Sequence, residues 1–139
     1  MMIIFDTDVI VSAMRSPSGA SAELLRRVHE GKLYCGVSVA LAMEYETVCL
    51  RNEHVLASGL STQDATLFVD AVIAMAQPVQ VHYRWRPQLR DPSDEMVLEA
   101  AVNARADALL TFNLRHFQVA AKTFGLIVQR PGEFLRSIP

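Results

Sequence analysis

Cysteine is nearly absent from this chain. The two present, Cys35 and Cys49, have no spacing that suits a metal site and form no disulfide framework. Both fall in apolar stretches, so they are expected to be small core residues in a reducing compartment, and the protein is expected to be cytoplasmic and soluble. Lysine is as scarce, with only Lys32 and Lys122. The net charge is −2, so there is no whole-chain basic signature, and any nucleic-acid binding must come from a local patch. No apolar run approaches the roughly 20 residues a membrane span needs. The first residues enter an apolar stretch at once, with no charged leader region or small-residue cleavage site. Repeats, low-complexity tracts and linkers are also missing. The 139 residues therefore read as one domain, 1–139, large enough for a real core. No serine or cysteine is paired with a histidine, so nothing favours a covalent nucleophile.

Carboxylates, by contrast, stand in places that a fold alone does not ask for. Asp6 and Asp8 follow the apolar run Met2-Ile3-Ile4-Phe5 directly. Glu44 and Glu46 come shortly after Cys35-Gly36-Val37-Ser38. Asp91, Asp94 and Glu95 lie in Arg90-Asp91-Pro92-Ser93-Asp94-Glu95, and Asn113 follows Ala108-Leu109-Leu110-Thr111. In open α/β sheets, ligands sit at the carboxyl ends of strands. Carboxylates gathered there from distant parts of a chain form the kind of site that holds Mg²⁺ or Mn²⁺.

Apolar patterning predicts strands at 2–5, 33–37, 78–81, 108–111 and 126–128. Helices are expected over 8–14, 20–30, 39–50, 62–75, 93–104, 116–124 and from Pro131 onward. Residues 51–60 read as a polar connection, and 83–92, with three arginines, Trp85 and two prolines, as an ordered loop. Short apolar strands alternating with helices imply a mostly parallel sheet covered on both faces, a three-layer α/β/α fold.

Helical spacing tests each acid. Asp94 precedes Val97, Leu98 and Ala101 by three, four and seven residues, so it heads the apolar face of its helix. It reads equally as an acid complementing the helix dipole. Asp91 is expected as a turn residue before Pro92, and Glu95 on a flank that is commonly solvated. Glu44 shares a stripe with Leu41, Tyr45 and Val48, and Glu46 with Ala42, Met43, Cys49 and Leu50. Periodicity does not choose between them. The inward one needs a partner, because a buried unpaired carboxylate is expensive. Asp8 is expected to cap the first helix, leaving Asp6 aimed over the sheet edge.

In order and spacing, these segments resemble the PIN-domain family of metal-dependent ribonucleases, and within it the VapC-like toxins of toxin–antitoxin pairs. Ile4-Phe5-Asp6-Thr7-Asp8 looks like the opening motif. Ser38-Val39-Ala40-Leu41-Ala42-Met43-Glu44-Tyr45 looks like the second and selects Glu44. Arg90-Asp91-Pro92-Ser93-Asp94-Glu95 looks like the third, with Asp94 its principal acid, and Ala108-Leu109-Leu110-Thr111-Phe112-Asn113 looks like the fourth. The closing Arg130-Pro131-Gly132-Glu133-Phe134-Leu135 also suits this branch. The resemblance implies phosphodiester hydrolysis with Mg²⁺ or Mn²⁺, held by Asp6, Glu44 and Asp94 and supported by Asn113. It implies RNA as substrate and a cognate antitoxin as partner, and it allows a homodimer. Asp8 stands where asparagine is common, and Asn113 where many members have a fourth acid, which leaves an attenuated enzyme open. His116 stands where some relatives have an acid, and is read as a structural or substrate-facing residue.

Single-stranded RNA would need a basic, aromatic rim around this acidic centre. Arg84, Trp85, Arg86 and Arg90, with Arg115, could supply it. The first four read equally as a solvated loop with Trp85 pinned into the core. Two rival functions remain at this level. A phosphatase of the haloacid-dehalogenase type also begins with Asp-x-Asp after an apolar strand, but here Glu44 would be unexplained and no later lysine is obvious. A catalytically degenerate PIN fold that binds RNA or protein is the other.

Overall fold

The computed structural model describes residues 1–82, 89 and 91–139. The expected loop residues Arg84, Trp85, Arg86 and Arg90 lie outside them. In chain order the elements are β1 (Met2–Phe5), α1 (Thr7–Arg15), α2 (Ala20–His29), β2 (Tyr34–Val37), α3 (Val39–Cys49), α4 (Asn52–Ser58), α5 (Thr62–Met75), β3 (Gln77–Pro78), α6 (Pro92–Asn103), β4 (Ala108–Leu110), α7 (Leu114–Phe124), β5 (Val128–Gln129) and α8 (Pro131–Ser137). The five strands form one sheet in the order β3-β2-β1-β4-β5, and every described pairing is parallel.

The parallel sheet follows from which strand residues need burial. Ile3, Ile4 and Phe5 are all at most 1% exposed, as are Ala108, Leu109 and Leu110. Successive side chains on a strand point to opposite faces, so both faces of the central pair must be covered by helices. Ile3 pairs with Cys35 on one side and Ala108 on the other. Both cysteines are buried and unbridged. The chain builds outward from β1 to β3, then returns to lay β4 against the other edge of β1. The connection order therefore reverses between β1 and β4, and a crevice opens there at the strands' carboxyl ends.

Local signals set the helix ends. Ser38 caps α3 by accepting a hydrogen bond from Leu41 N at 3.1 Å. Asp91 caps α6 by accepting from Ser93 N at 2.9 Å, with Pro92 in the first helical turn, where its missing N–H costs nothing. The inner face of α3 is Leu41, Tyr45 and Cys49, a repeat of four. One element departs from the sequence expectation. Residues 52–58, read as a polar connection, form α4, which Gly59 closes at φ +74°. Val55 is its only buried residue, while Leu56 is exposed. An anchor of one side chain leaves no periodicity to find. The edge strand β3 also falls earlier than expected, and Pro78 is tolerated there because an edge strand has donors to spare.

Gly36 sits in β2 between β1 and β3, and its missing side chain is what lets the layers close. A Cβ there would lie 2.8 Å from Val79 Cγ2, 3.0 Å from Ile4 Cδ1 and 3.2 Å from Met2 Sδ. Gly36→Ala should therefore overpack the core and lower stability by about 1–3 kcal/mol, read as a shift in the denaturation midpoint. An unchanged midpoint would mean that this strand yields freely.

Candidate active site at the sheet reversal

Asp6 does two jobs at the end of β1. Its backbone N donates to Leu110 O at 2.9 Å, extending the pairing with β4 by one residue. Its side chain is the N-cap of α1, Oδ1 accepting from Thr7 N at 2.7 Å. Asp6, not Asp8, is thus the capping residue. Capping leaves Oδ2 for the neighbouring strand end, and Thr111 Oγ1 donates to it at 2.6 Å. Asp6 and Thr111 are buried at 6% and 0% exposure.

Asp8 lies in the first turn of α1 and faces the same crevice. Its Oδ2 accepts from Phe112 N at 3.1 Å and from Asn113 Nδ2 at 3.0 Å. Asn113 N in turn donates to Thr111 Oγ1 at 2.9 Å. Hydrogen bonds thus link Asp6, Thr111, Asn113 and Asp8 in one chain across the reversal. Asp8 Oδ1 is buried with no hydrogen-bond partner among the described residues.

Asp94, buried at the start of α6, approaches from the other side. His116 Nδ1, on α7, lies 2.8 Å from Asp94 Oδ2, an arrangement in which the ring N–H donates to the carboxylate. Its neighbour Glu95 is also buried, at 4% exposure, and accepts from Leu89 N at 2.7 Å. The solvated flank expected for Glu95 is therefore not observed: the bond to the preceding loop draws it inward.

Electrostatics tie the three aspartates together. Burial raises the pKa of Asp6, and the charge of Asp94 adds to that rise while the Thr111 hydrogen bond opposes it. Burial pushes Asp8 up to about 7, and repulsion from Asp6 and then Asp94 reinforces the rise. Asp94 is raised by burial first, with His116 opposing and Asp91 and Glu95 adding. Like charges that cannot ionise cheaply together are what a cation relieves. The donors are all oxygen, with one buried oxygen unpartnered, which suits a hard divalent ion.

Glu44 is half-buried and Glu46 exposed, so the helix turns Glu44 further inward. It directly precedes Tyr45, whose buried hydroxyl donates to Phe5 O at the end of β1. That bond brings α3 past the strand end. Among the described residues, however, no three His, Cys, Asp or Glu side chains are gathered in metal-holding geometry. The structure joins Asp6, Asp8 and Asn113 by hydrogen bonds and Asp94 to them by charge, while among the described residues no hydrogen bond or ion pair joins Glu44 to them. Arg115 is exposed on α7 beside His116.

The sequence reading assigns no role to Thr111 and does not pair His116 with Asp94. Thr111 is visible there as the last residue of a strand. Its partner becomes legible only once β4 is known to lie against β1. Asp8 and Asn113, two departures in the sequence, turn out to be bonded to each other.

A family model described as a PIN domain matches residues 2–115. No curated protein matches the chain. Among solved structures, the chain is similar in fold to VapBC2 from Rickettsia felis bound to a DNA fragment from their promoter. The TM-score is 0.64 at 14% identity, covering 94% of this chain and 98% of the other.

A carboxyl whose pKa is raised on folding binds its proton more tightly in the folded chain. It stabilises the fold below its ordinary pKa, and that contribution is lost as the pH climbs through the raised value. Asp8, moved from 3.8 to about 7, places the loss across the weakly acidic range. The melting temperature in EDTA should fall from about pH 4 to about pH 7. Asp8→Asn should flatten that fall and raise the metal-free melting temperature at the alkaline end. An equally steep fall in the variant would assign the titration elsewhere. Asn113→Asp should do the reverse, because it replaces a donor 3.0 Å from Asp8 with a second carboxylate: metal-free melting should drop by several degrees at neutral pH. No drop would mean that Asn113 has left Asp8 in solution.

Proposed function

The chain belongs to the PIN-domain family, and from that premise we propose that it is an endoribonuclease dependent on Mg²⁺ or Mn²⁺, cleaving single-stranded RNA as the toxin of a toxin–antitoxin pair. The observation that carries this reading is the convergence of Asp6, Asp8 and Asp94 at one sheet reversal, where each is held with a raised pKa. A fold gains nothing from repelling carboxylates there. Support for a toxin comes from the similar fold of VapBC2 in its DNA-bound complex, and a cognate antitoxin is the partner this implies for the present chain.

Asp6, Glu44 and Asp94 would hold the metal. When bound, it supplies Lewis-acid stabilisation of charge at the phosphoryl oxygens and a nucleophile near neutral pH. The chain's own residues set the stage. Thr111, directly after β4, fixes the rotamer of Asp6 from one side, and the cap to Thr7 N fixes it from α1. His116 orients Asp94. Asn113 acts through Asp8, holding that carboxylate toward the crevice with its amide. Orientation of this kind is what keeps a site within the tolerance catalysis needs. Covalent catalysis by cysteine is disfavoured: both thiols are buried, and burial pushes Cys35 up to about 11 and Cys49 to about 12. The haloacid-dehalogenase alternative is also disfavoured, since Asp6 as nucleophile would have to give up two hydrogen bonds from a position only 6% exposed.

Asp6→Asn tests the reading directly. RNA cleavage in Mg²⁺ should fall by at least about 100-fold, since a ligand charge supplies several kcal/mol and each 1.36 kcal/mol is tenfold. The circular dichroism spectrum should be unchanged, because the amide keeps the shape of the cap. Wild-type turnover by a folded variant would remove Asp6 from the active site.

A further inference from the structure

Beside the carboxylates, on the β5 side, two clefts adjoin. One, of about 480 Å³, is lined by Ser12, Ser21, Phe112, Arg130, Glu133 and Arg136, among others. The second, of about 270 Å³, is lined by Asp8 and Arg15 and shares Ser12 and Phe112 with the first. Together they run along the carboxyl edge of the sheet, from Asp8 after β1, past Phe112 after β4, to Arg130 directly after β5.

We propose that this groove is the binding track for the single-stranded RNA flanking the scissile phosphate, with Phe112 as a base-stacking platform and Arg15, Arg130 and Arg136 as phosphate-binding cations. The proposal rests on the ribonuclease reading above and adds to it where the substrate lies.

Five observations favour a polyanion there. Ser21 is 2% exposed, lines the groove, and its Oγ has no hydrogen-bond partner among the described residues. A buried hydroxyl without a partner is costly, and a bound phosphate or ribose oxygen would satisfy it. Arg15, Arg130 and Arg136 are exposed, and no ion pair among the described residues engages any of them, which leaves their guanidinium groups for a ligand. Among the described residues Glu133 is the only acid on the wall of the larger cleft, and Asp8 lies on the wall of the smaller one. Phe112 is 42% exposed even though its backbone N–H is fixed by Asp8. An exposed aromatic ring between a carboxylate site and a row of arginines is the arrangement that binds single strands: stacking on the ring, phosphates on the cations. Ser21 stands in the opening turn of α2, a helix that no side chain caps, and such a turn favours an anion.

A protein partner would be a second class of occupant. The row of cations Arg15, Arg130 and Arg136 along the groove favours nucleic acid.

The test uses the full chain in the Asp6→Asn background, which binds without cleaving. Affinity for a fluorescent single-stranded oligoribonucleotide is measured by anisotropy across a salt series. Arg130→Ala with Arg136→Ala should weaken binding by about tenfold or more. The slope of log affinity against log salt should become shallower by about 0.7 for each phosphate that is no longer neutralised. Phe112→Ala should weaken binding several-fold with the slope unchanged, because stacking releases no counterions. Arg51→Ala, an exposed arginine in another part of the fold, serves as control and should change neither. Melting curves identify any variant that fails to fold, and Phe112→Leu, which keeps apolar bulk but not the ring, then replaces Phe112→Ala. Unchanged affinity and slope in the double arginine variant overturn the track and leave the groove to a protein partner. Cleavage of RNA by the wild type is measured in parallel. Cleavage with unaltered binding in the variants refutes the track alone, while absence of cleavage in Mg²⁺ and Mn²⁺ refutes the ribonuclease reading and the track with it.

Discussion

The hydrogen bond from Thr111 Oγ1 to Asp6 Oδ2 is the interaction on which the site depends. It spans 105 residues of sequence and closes the gap where the sheet reverses. Asp6 is bound by its backbone to β4, by one carboxylate oxygen to α1 and by the other to Thr111. A buried carboxylate with fewer donors would be expensive at this depth. With these it is tolerated, and its position is fixed to the register of β1 against β4. The short strands suffice because so much of their pairing is central: β1 lies between two parallel neighbours, with its apolar residues covered on both faces.

From that fixed point the electrostatics follow. Asp8 is two residues further along the chain, in α1, and is turned to the same crevice by donors from Phe112 and Asn113. Asp94 arrives on α6, whose N-terminus is set by the Asp91 cap and Pro92. Burial is the main cause of each raised proton affinity, and charge adds to it: Asp94 acts on Asp6, and Asp6 and Asp94 act on Asp8. The metal-free site is therefore a strained arrangement of charge on a stable frame. Repulsion of this sort is what a structural role would select against and what cation binding would use.

The groove toward β5 extends the same logic. A hard, negatively charged centre repels a polyanionic substrate, so a nuclease must attract the strand next to the centre and not at it. Cations after β5 and in α8, with an aromatic ring between them and the acids, would divide that labour by position along one sheet edge.

How much of this was legible in the sequence can be judged residue by residue. The alternation of apolar runs and helical stripes determined the parallel α/β architecture, because a strand buried on both faces and a one-sided helix have different apolar periods. The acids Asp6 and Asp94 stood out because they stand at element ends, whereas Glu44 was singled out only by the family resemblance. α4 was not legible, since Val55 alone anchors it and one residue makes no period. Periodicity alone left Glu44 and Glu46 tied. The burial of Tyr45 against the end of β1 turned the helix and separated them. Sequence also assigned the cap to Asp8, whereas the structure gave it to Asp6, because the helix starts one residue earlier than the apolar pattern shows. Thr111, the Asp8–Asn113 bond, the His116–Asp94 pair and the arginine groove belonged wholly to the tertiary structure. Each joins elements whose adjacency is fixed by strand order. Strand order depends on how the whole chain packs, and not on any local run of residues.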